Sequence, residues 1–137
     1  MLKLAVTMKR IIFIILFFTV VTCYFVFKNN NCQNNQAKKY YINNKNLCLL
    51  IANNQSEWKK GVMFYKKPVN FDGMIFIFPD KQVRSFWNKN TYMDLDIFWM
   101  DEDKVVGKSL LQNINKSKEI ITVKSKEKVN KVVEIIR

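Results

Sequence analysis

The chain has 137 residues, of which 49% are hydrophobic and 25% charged, and its formal net charge is +12. This length accommodates one small domain together with flanking segments. Histidine is absent from the sequence, which excludes dyads and triads with an imidazole base and makes the usual zinc ligand sets a poor fit.

The first predicted element is an uncharged apolar run, IIFIILFFTVVTCYFVF, at residues 11–27. A helix over this run would be about 25 Å long, the short end of what crosses a bilayer core of about 30 Å. Lys9 and Arg10 precede it, which favours a cytoplasmic N-terminus at residues 1–10 and a domain beyond the membrane. We therefore expect a single-pass signal anchor. A cleaved signal peptide and a buried core helix are the alternatives, although no small-residue cleavage site follows the run.

A polar stretch rich in asparagine follows at residues 28–45. Its apolar content is too low to offset the entropy of ordering, so we expect a flexible linker that leads to a β-rich domain at residues 46–137. Cys32 lies in this linker and Cys48 in the first predicted strand. These two cysteines could form a disulfide, but their spacing does not require one.

Short apolar runs separated by turn-forming residues predict a mainly β domain. The candidate strands are LCLLIA at 47–52, GMIFIF at 73–78, RSFWNKN at 84–90, LDIFWM at 95–100, and then KVVGKSLL, EIITVKS and KVNKVVEII. One helical turn is expected at residues 56–60, capped by Ser56 and ended by Gly61. Gly73 and Pro79 are expected to mark turns around the buried second strand. This series of strands predicts a small antiparallel domain that is sandwich-like, jelly-roll-like or barrel-like.

The segments at 84–90 and 95–100 are predicted to form a hairpin. If Tyr92 and Met93 form its tip, six side chains share one face as three opposite pairs: Lys89 with Asp96, Trp87 with Phe98, and Ser85 with Met100. Such a face would combine aromatic rings with polar groups, to which Asn90 and Thr91 contribute, and it predicts a ligand-binding surface. The alternative is that the rings pack in the core and that Lys89 and Asp96 form an ordinary cross-strand ion pair.

Four segments also carry a family resemblance: GVMFYK at 61–66, GMIFIFP at 73–79, FWNKNT at 86–91 and LDIFWMDED at 95–103. In order and spacing they resemble the uncharacterised "domain of unknown function" family numbered 192, also described as an uncharacterised membrane protein family. The resemblance implies a compact all-β domain behind a signal or membrane anchor, and it implies no settled activity. Asn88 stands where this family usually has methionine, and Asp94 where it commonly has proline. The family pattern continues beyond KVVEII, which implies that a chain ending at Arg137 is truncated or closes its domain differently.

These expectations favour a membrane-anchored, extracytoplasmic module that binds a small ligand, a glycan or a protein partner, with no cofactor and no metal. One alternative is an envelope-associated enzyme that uses Lys89 or Asp96 as acid or base on a polymer or lipid. Another is a scaffold that docks a membrane protein. Nucleic-acid binding is less favoured, because the basic residues are scattered singly or in pairs along the chain.

Overall fold

A computed structural model describes residues 14–17, 19, 32 and 36–137 of the chain. In the part that precedes Cys32, the described residues are helical and exposed. The anchor predicted at residues 11–27 therefore lies largely outside the described residues. Within the described residues, no helix has the length and apolar character needed to cross a membrane.

The chain divides into two compact units, and the second one, Cys32–Arg137, carries the strands. Its described elements are, in chain order, β1 (Ala37–Ile42), β2 (Lys45–Ala52), α1 (Gln55–Lys60), β3 (Gly73–Gln82), β4 (Ser85–Trp87), β5 (Leu95–Asp101), β6 (Lys104–Leu111), α2 (Ile114–Ser117), β7 (Thr122–Lys124) and β8 (Val129–Ile136). The prediction of a mainly β domain is confirmed.

The strands form one large sheet and one small sheet. The large sheet has six strands in the order β1-β2-β3-β8-β5-β6, and the small sheet pairs β4 with β7. Strands β2 and β3 are parallel, whereas the other pairs are antiparallel. The sheet is therefore mixed, whereas an antiparallel domain was predicted. Parallel neighbours require a connection that returns the chain to the start of the next strand, and here the connection through α1 does so between β2 and β3.

Both faces of the large sheet bury hydrophobic side chains, because consecutive residues of a strand point to opposite faces. The first core cluster includes Leu50, Met74, Phe76, Ile97, Trp99 and Val132. The second core cluster includes Leu49, Ile75, Phe98, Met100 and Val133. Trp58 of α1 and Phe86 of β4 pack against the first cluster, so α1 and the small sheet lie over that face.

Strand β1 lies inside the stretch predicted to be a flexible linker. It pairs with β2 through a tight turn at Asn43 and Asn44, whose φ angles are 50° and 61°. Positive φ at both central residues is typical of the turn that best joins two antiparallel strands, and asparagine tolerates it well. A disulfide between Cys32 and Cys48, with a Cα–Cα distance of 5.4 Å, ties the start of this unit to β2. Some asparagines of the linker therefore serve a turn and do not mark disorder.

The predicted hairpin between residues 84–90 and 95–100 is wrong. Strand β4 pairs with β7, and β5 pairs with β6 and β8. The three predicted opposite pairs, Lys89 with Asp96, Trp87 with Phe98 and Ser85 with Met100, are consequently not formed. The reason is that residues 88–94 form a loop, and the strands it joins find partners much later in the chain.

Helix α1 begins at an asparagine and ends at a glycine. Its N-cap is Asn54, whose side-chain oxygen accepts a hydrogen bond from Glu57 N at 3.1 Å, so the predicted cap Ser56 lies inside the helix. Gly61 is the C-cap with φ at 50°, and its N–H donates to the carbonyl oxygen of Glu57. Glycine adopts this conformation without the strain that a side chain would bring.

The other two predicted turn residues lie in strand β3. Gly73 begins the strand, and a Cβ atom at this position would lie only 1.8 Å from the main-chain oxygen of Glu134, so close strand approach requires glycine here. Pro79 lies within β3 and not in a turn. The pairing of β3 with β8 is interrupted between Ile77 and Gln82, so a residue without an N–H is tolerated there.

Candidate ligand-binding cleft

A glutamate occupies the centre of the large sheet. Glu134 on β8 lies directly opposite Met74 of β3 and Ile97 of β5, and both of those residues belong to the first core cluster. Its side chain therefore points to the face that α1 and the small sheet cover, and the residue is only 4% exposed. A carboxyl group in such a setting is costly unless it is paired or neutral.

The Glu134 carboxyl is held in its neutral form. Burial away from water raises its pKa from the ordinary 4.5 to about 8, and a hydrogen bond from the backbone N–H of Val62 opposes only part of this rise. Its Oε2 atom is buried and has no hydrogen-bond partner among the described residues. At neutral pH the group is therefore mostly a carboxylic acid that can both donate and accept a hydrogen bond.

The loop that follows α1 forms one wall beside this carboxyl. A Cβ atom at Gly61 would lie 3.7 Å from Glu134 Oε2 and 3.3 Å from Cζ of Phe76, so glycine leaves space next to the acid. Phe64, at the end of the loop, has φ at 67° and is 61% exposed. A large residue in the left-handed region is uncommon in proteins, and strained conformations of this kind cluster at functional sites.

The loop after β4 forms the facing wall. Phe64 N donates to the carbonyl oxygen of Asn90 at 2.9 Å, which joins the two loops. Trp87 is 49% exposed and Thr91 is buried, and both line the cleft. The ammonium of Lys89 lies 5.3 Å from the centre of the Trp87 ring, a cation–π distance.

Asn88 fixes the path of this second loop. The two N–H groups of its Nδ2 have three acceptors in range, Gln112 O at 3.0 Å, Ser117 Oγ at 2.7 Å and, at the longer distance of 3.3 Å, Glu119 O. Its Oδ1 accepts from Ile121 N at 2.9 Å. The side chain is fully buried, and a fully bonded buried amide of this kind specifies one loop conformation. Asn88 therefore positions its neighbours Trp87 and Lys89 and does not itself face the cleft.

The cleft between these walls has a volume of about 20 Å³, enough for one water-sized group. Its lining is aromatic and aliphatic around the acid, with two lysines among the lining residues: Trp58, Lys59, Lys60, Gly61, Val62, Met63, Phe76, Phe86, Trp87, Thr91 and Glu134. The indole of Trp58 donates to Ala52 O at 3.1 Å, which leaves its ring as part of the wall. We call this site the Glu134 cleft.

The structure brings only some of the predicted site residues together. Trp87 and Thr91 line the Glu134 cleft, and Lys89 and Asn90 lie in the same loop. Ser85 is exposed on β4, opposite Lys124 of β7.

Asp96 and Phe98 lie elsewhere. Phe98 belongs to the second core cluster, and Asp96, two residues before it on β5, points to that same face, away from Glu134. Asp96 forms an ion pair with Lys108 at 3.0 Å, not with Lys89. The predicted pair of Lys89 and Asp96 is thus replaced by one between neighbouring strands β5 and β6.

Sequence reasoning missed Glu134. The signal was one acidic residue inside the apolar run VVEII, where both faces of the strand are buried. Because an unpaired carboxylate is unfavourable in a core, a lone glutamate in such a run indicates either a buried partner or a functional group.

No metal site accompanies the cleft in the described part of the chain. Groups of three or more cysteine, aspartate or glutamate residues that could hold a metal ion are not found among the described residues. The single carboxyl at the centre of the cleft also offers fewer ligands than a structural metal ion requires.

Comparisons with known proteins identify relatives of the strand-bearing unit. The model of the family DUF192, described as "Uncharacterized ACR", matches residues 38–137. A candidate transcription regulator from Sinorhizobium meliloti has a similar structure, with a TM-score of 0.58 and 26% identity over 67% of this chain and 70% of that chain. A protein of unknown function from Novosphingobium aromaticivorans has a TM-score of 0.57 and 18% identity over 78% of this chain and 85% of that chain, a likeness that shows the fold alone. No curated protein matches the sequence.

Proposed function

The chain belongs to the uncharacterised family DUF192, and we propose that its strand-bearing unit is a ligand-binding module whose site is the Glu134 cleft. The observation that carries the proposal is the buried Oε2 atom of Glu134, which lies at the cleft without a hydrogen-bond partner among the described residues. Buried polar atoms are nearly always satisfied, so the unpartnered Oε2 supports a site for a hydrogen-bonding group such as a ligand hydroxyl.

The walls of the cleft favour a ligand with a flat apolar face and neutral polar groups. Trp87, which lines the cleft with the buried acid, exposes about half of its surface. An exposed ring next to a hydrogen-bonding group suits a sugar that lies at the rim of the cleft, stacks its C–H face on the aromatic ring and inserts one hydroxyl, the size of group that the cleft accommodates, towards the acid. A glycan is therefore the ligand class that we propose.

We further propose that the module is membrane-anchored and extracytoplasmic. The disulfide between Cys32 and Cys48 supports an oxidising compartment, because such bonds are rare where glutathione keeps thiols reduced. The uncharged run at residues 11–27, preceded by Lys9 and Arg10, supports an anchor that leaves the domain outside.

The enzymatic alternative has less support. Trp87, near Lys89, lines the cleft, whereas Phe98, near Asp96, belongs to the second core cluster. Lys89 and Asp96 therefore lie on different sides of the large sheet and cannot act on one bond. Among the described residues that line the cleft, Glu134 is the one carboxyl, whereas most glycoside hydrolases use two. A scaffold role has no specific observation in its favour among the described residues.

The test is a titration of the full chain in neutral detergent micelles with the trimer of N-acetylglucosamine, a common envelope sugar. The readout is the indole N–H signal of Trp58, which lies in the wall of the cleft and is retained in every variant. We expect Trp87→Ala to weaken binding about tenfold or more, and Glu134→Gln to weaken it to a lesser degree because an amide still donates one bond.

Tyr41→Ala is the matched control for the loss of an exposed aromatic side chain, since Tyr41 is 69% exposed on the edge strand β1. This variant should bind as the wild type does. An absence of any saturable shift with the sugar would refute a glycan ligand of this type. Equal binding by the wild type and Trp87→Ala would show that the cleft is not the site.

A further inference from the structure

A second concave surface lies outside the Glu134 cleft, and the proposed glycan function does not involve it. It has a volume of about 540 Å³, within the range of small-molecule sites. Its lining includes three cationic side chains and one acidic side chain, with an aromatic ring and an amide: Lys66, Lys67, Arg137, Asp94, Tyr92 and Asn113. We call it the basic groove.

The acidic side chain of the groove already has its partners. Asp94 Oδ1 accepts from the backbone N–H of Asn113 at 2.8 Å and from its side-chain Nδ2 at 2.7 Å. Oδ2 lies 3.4 Å from Lys116 Nζ, and Lys116 is not among the lining residues. These bonds, led by the one from the Asn113 backbone, hold the pKa of Asp94 below its ordinary value. Asp94 thus positions the start of α2 through Asn113, and Lys116 offsets part of its charge from outside the groove.

The three cations make only exposed contacts with the protein. Lys66 Nζ lies 4.7 Å from the centre of the Tyr92 ring, and Lys67 Nζ donates to the main-chain oxygen of Arg137. Arg137 Nε lies 3.7 Å from Asp96, which has a nearer partner in Lys108 at 3.0 Å. Exposed pairs of this kind are weak, so an incoming anion competes with them easily.

Backbone and core contacts hold the side of the groove that carries Arg137 and Tyr92. Arg137 N donates to Asp94 O at 3.0 Å, which fixes the end of β8 beside the loop that contains Tyr92. Met93, next to Tyr92, is buried in the first core cluster and anchors that loop. Arg137 and Tyr92 therefore project from a supported frame, and a ligand need not order the main chain on this side of the groove.

We propose that the basic groove binds a phosphate group through Lys66, Lys67 and Arg137. A phosphate has oxygen atoms for both a bidentate arginine contact and lysine point charges. The phosphate can be a monoester in solution, whose double charge matches three cations better than a single carboxylate does, or the singly charged diester of a phospholipid headgroup, since both present at least two non-bridging oxygens.

The test uses the full chain in neutral detergent micelles with ¹³C-labelled tyrosine. The readout is the ring signal of Tyr92, assigned with Tyr92→Phe, because Lys66 lies over that ring. Inorganic phosphate is titrated at low salt, and phosphatidylglycerol is added to the micelles in a separate series. We expect a saturable shift in the wild type and a loss of affinity of about tenfold or more in the Lys66→Gln/Lys67→Gln double variant.

The matched control is Lys126→Gln/Lys128→Gln, which removes the same charge from two exposed lysines outside the groove. It should change the affinity by less than about twofold, because neither lysine lines the groove or can contact a phosphate bound there. Saturation by phosphate alone supports an ester in solution, and saturation by phosphatidylglycerol alone supports a headgroup. The proposal is overturned if neither shifts the Tyr92 signal, or if the control weakens binding as much as the groove variant does.

Discussion

At the residue scale, the burial of Glu134 makes the stability of the domain depend on pH. Its pKa is about 8 in the folded chain and near 4.5 when unfolded, so between these values the folded state binds more protons than the unfolded state. The free energy of unfolding therefore falls as pH rises through this window, by about 1.4 kcal/mol for each pH unit. The lysines at the cleft, Lys59 and Lys60, are exposed.

Glu134→Gln removes this pH dependence because an amide does not ionise. Denaturant unfolding at a series of pH values should show the wild type losing several kcal/mol between about pH 5 and pH 8, while the variant stays nearly level. Asp94, whose pKa is lowered, acts in the opposite direction and only below about pH 4, so it does not affect the comparison. A wild-type stability that is constant from pH 5 to pH 8 would show that the carboxyl is already compensated.

At the scale of single elements, the sequence predicted those strands whose own residues are mostly apolar. The runs that became β2, β3, β5, β6 and β8 were each predicted, because they are apolar and bounded by turn-forming residues. Strand β1 was missed because Lys38 and Lys39 make its sequence polar, and its order comes from pairing with β2. The partner of β4 was also missed, since its pairing with β7 depends on a loop that Asn88 holds in place.

The disulfide between Cys32 and Cys48 stabilises the part of the domain that contains strand β1. Cys32 and Cys48 are 16 residues apart, and closing a loop of about 15 residues in the unfolded chain stabilises the folded state by about 3 kcal/mol. Reduction should therefore lower the midpoint of thermal unfolding, which circular dichroism of the full chain in micelles can measure with and without a reductant.

A Cys32→Ser/Cys48→Ser variant is the control for this prediction. It should unfold at the midpoint of the reduced wild type and show no response to the reductant. A midpoint of the wild type that does not move on reduction would mean that β1 is held by strand pairing alone, with the bond adding nothing measurable.

At the scale of the whole molecule, β8 joins the two halves of the large sheet. It comes last in the chain yet lies between β3 and β5, so three segments distant in sequence must meet before either core cluster closes. The apolar run of β8 could be predicted, but its central place could not, because strand order is decided by which faces pack together and not by local pattern. The Glu134 cleft escaped prediction for the same reason, since its walls include residues 61–63, Trp87 and Thr91 and its acid comes from β8.

This arrangement predicts a gradient of local stability across the sheet. Amides in β8 and in the facing parts of β3 and β5 are paired on both sides, between two buried clusters, and should exchange with solvent only on global unfolding. Amides of β1 at the edge and of the small sheet, β4 with β7, should exchange faster through local opening. Hydrogen exchange of the full chain, followed by mass spectrometry, measures both sets at once.

Reduction of the disulfide provides an internal comparison, because it should speed exchange in β1 more than in β5. Equal protection of β1 and β8 would instead mean that the six strands open as one unit, and that the edge is stabilised as strongly as the centre.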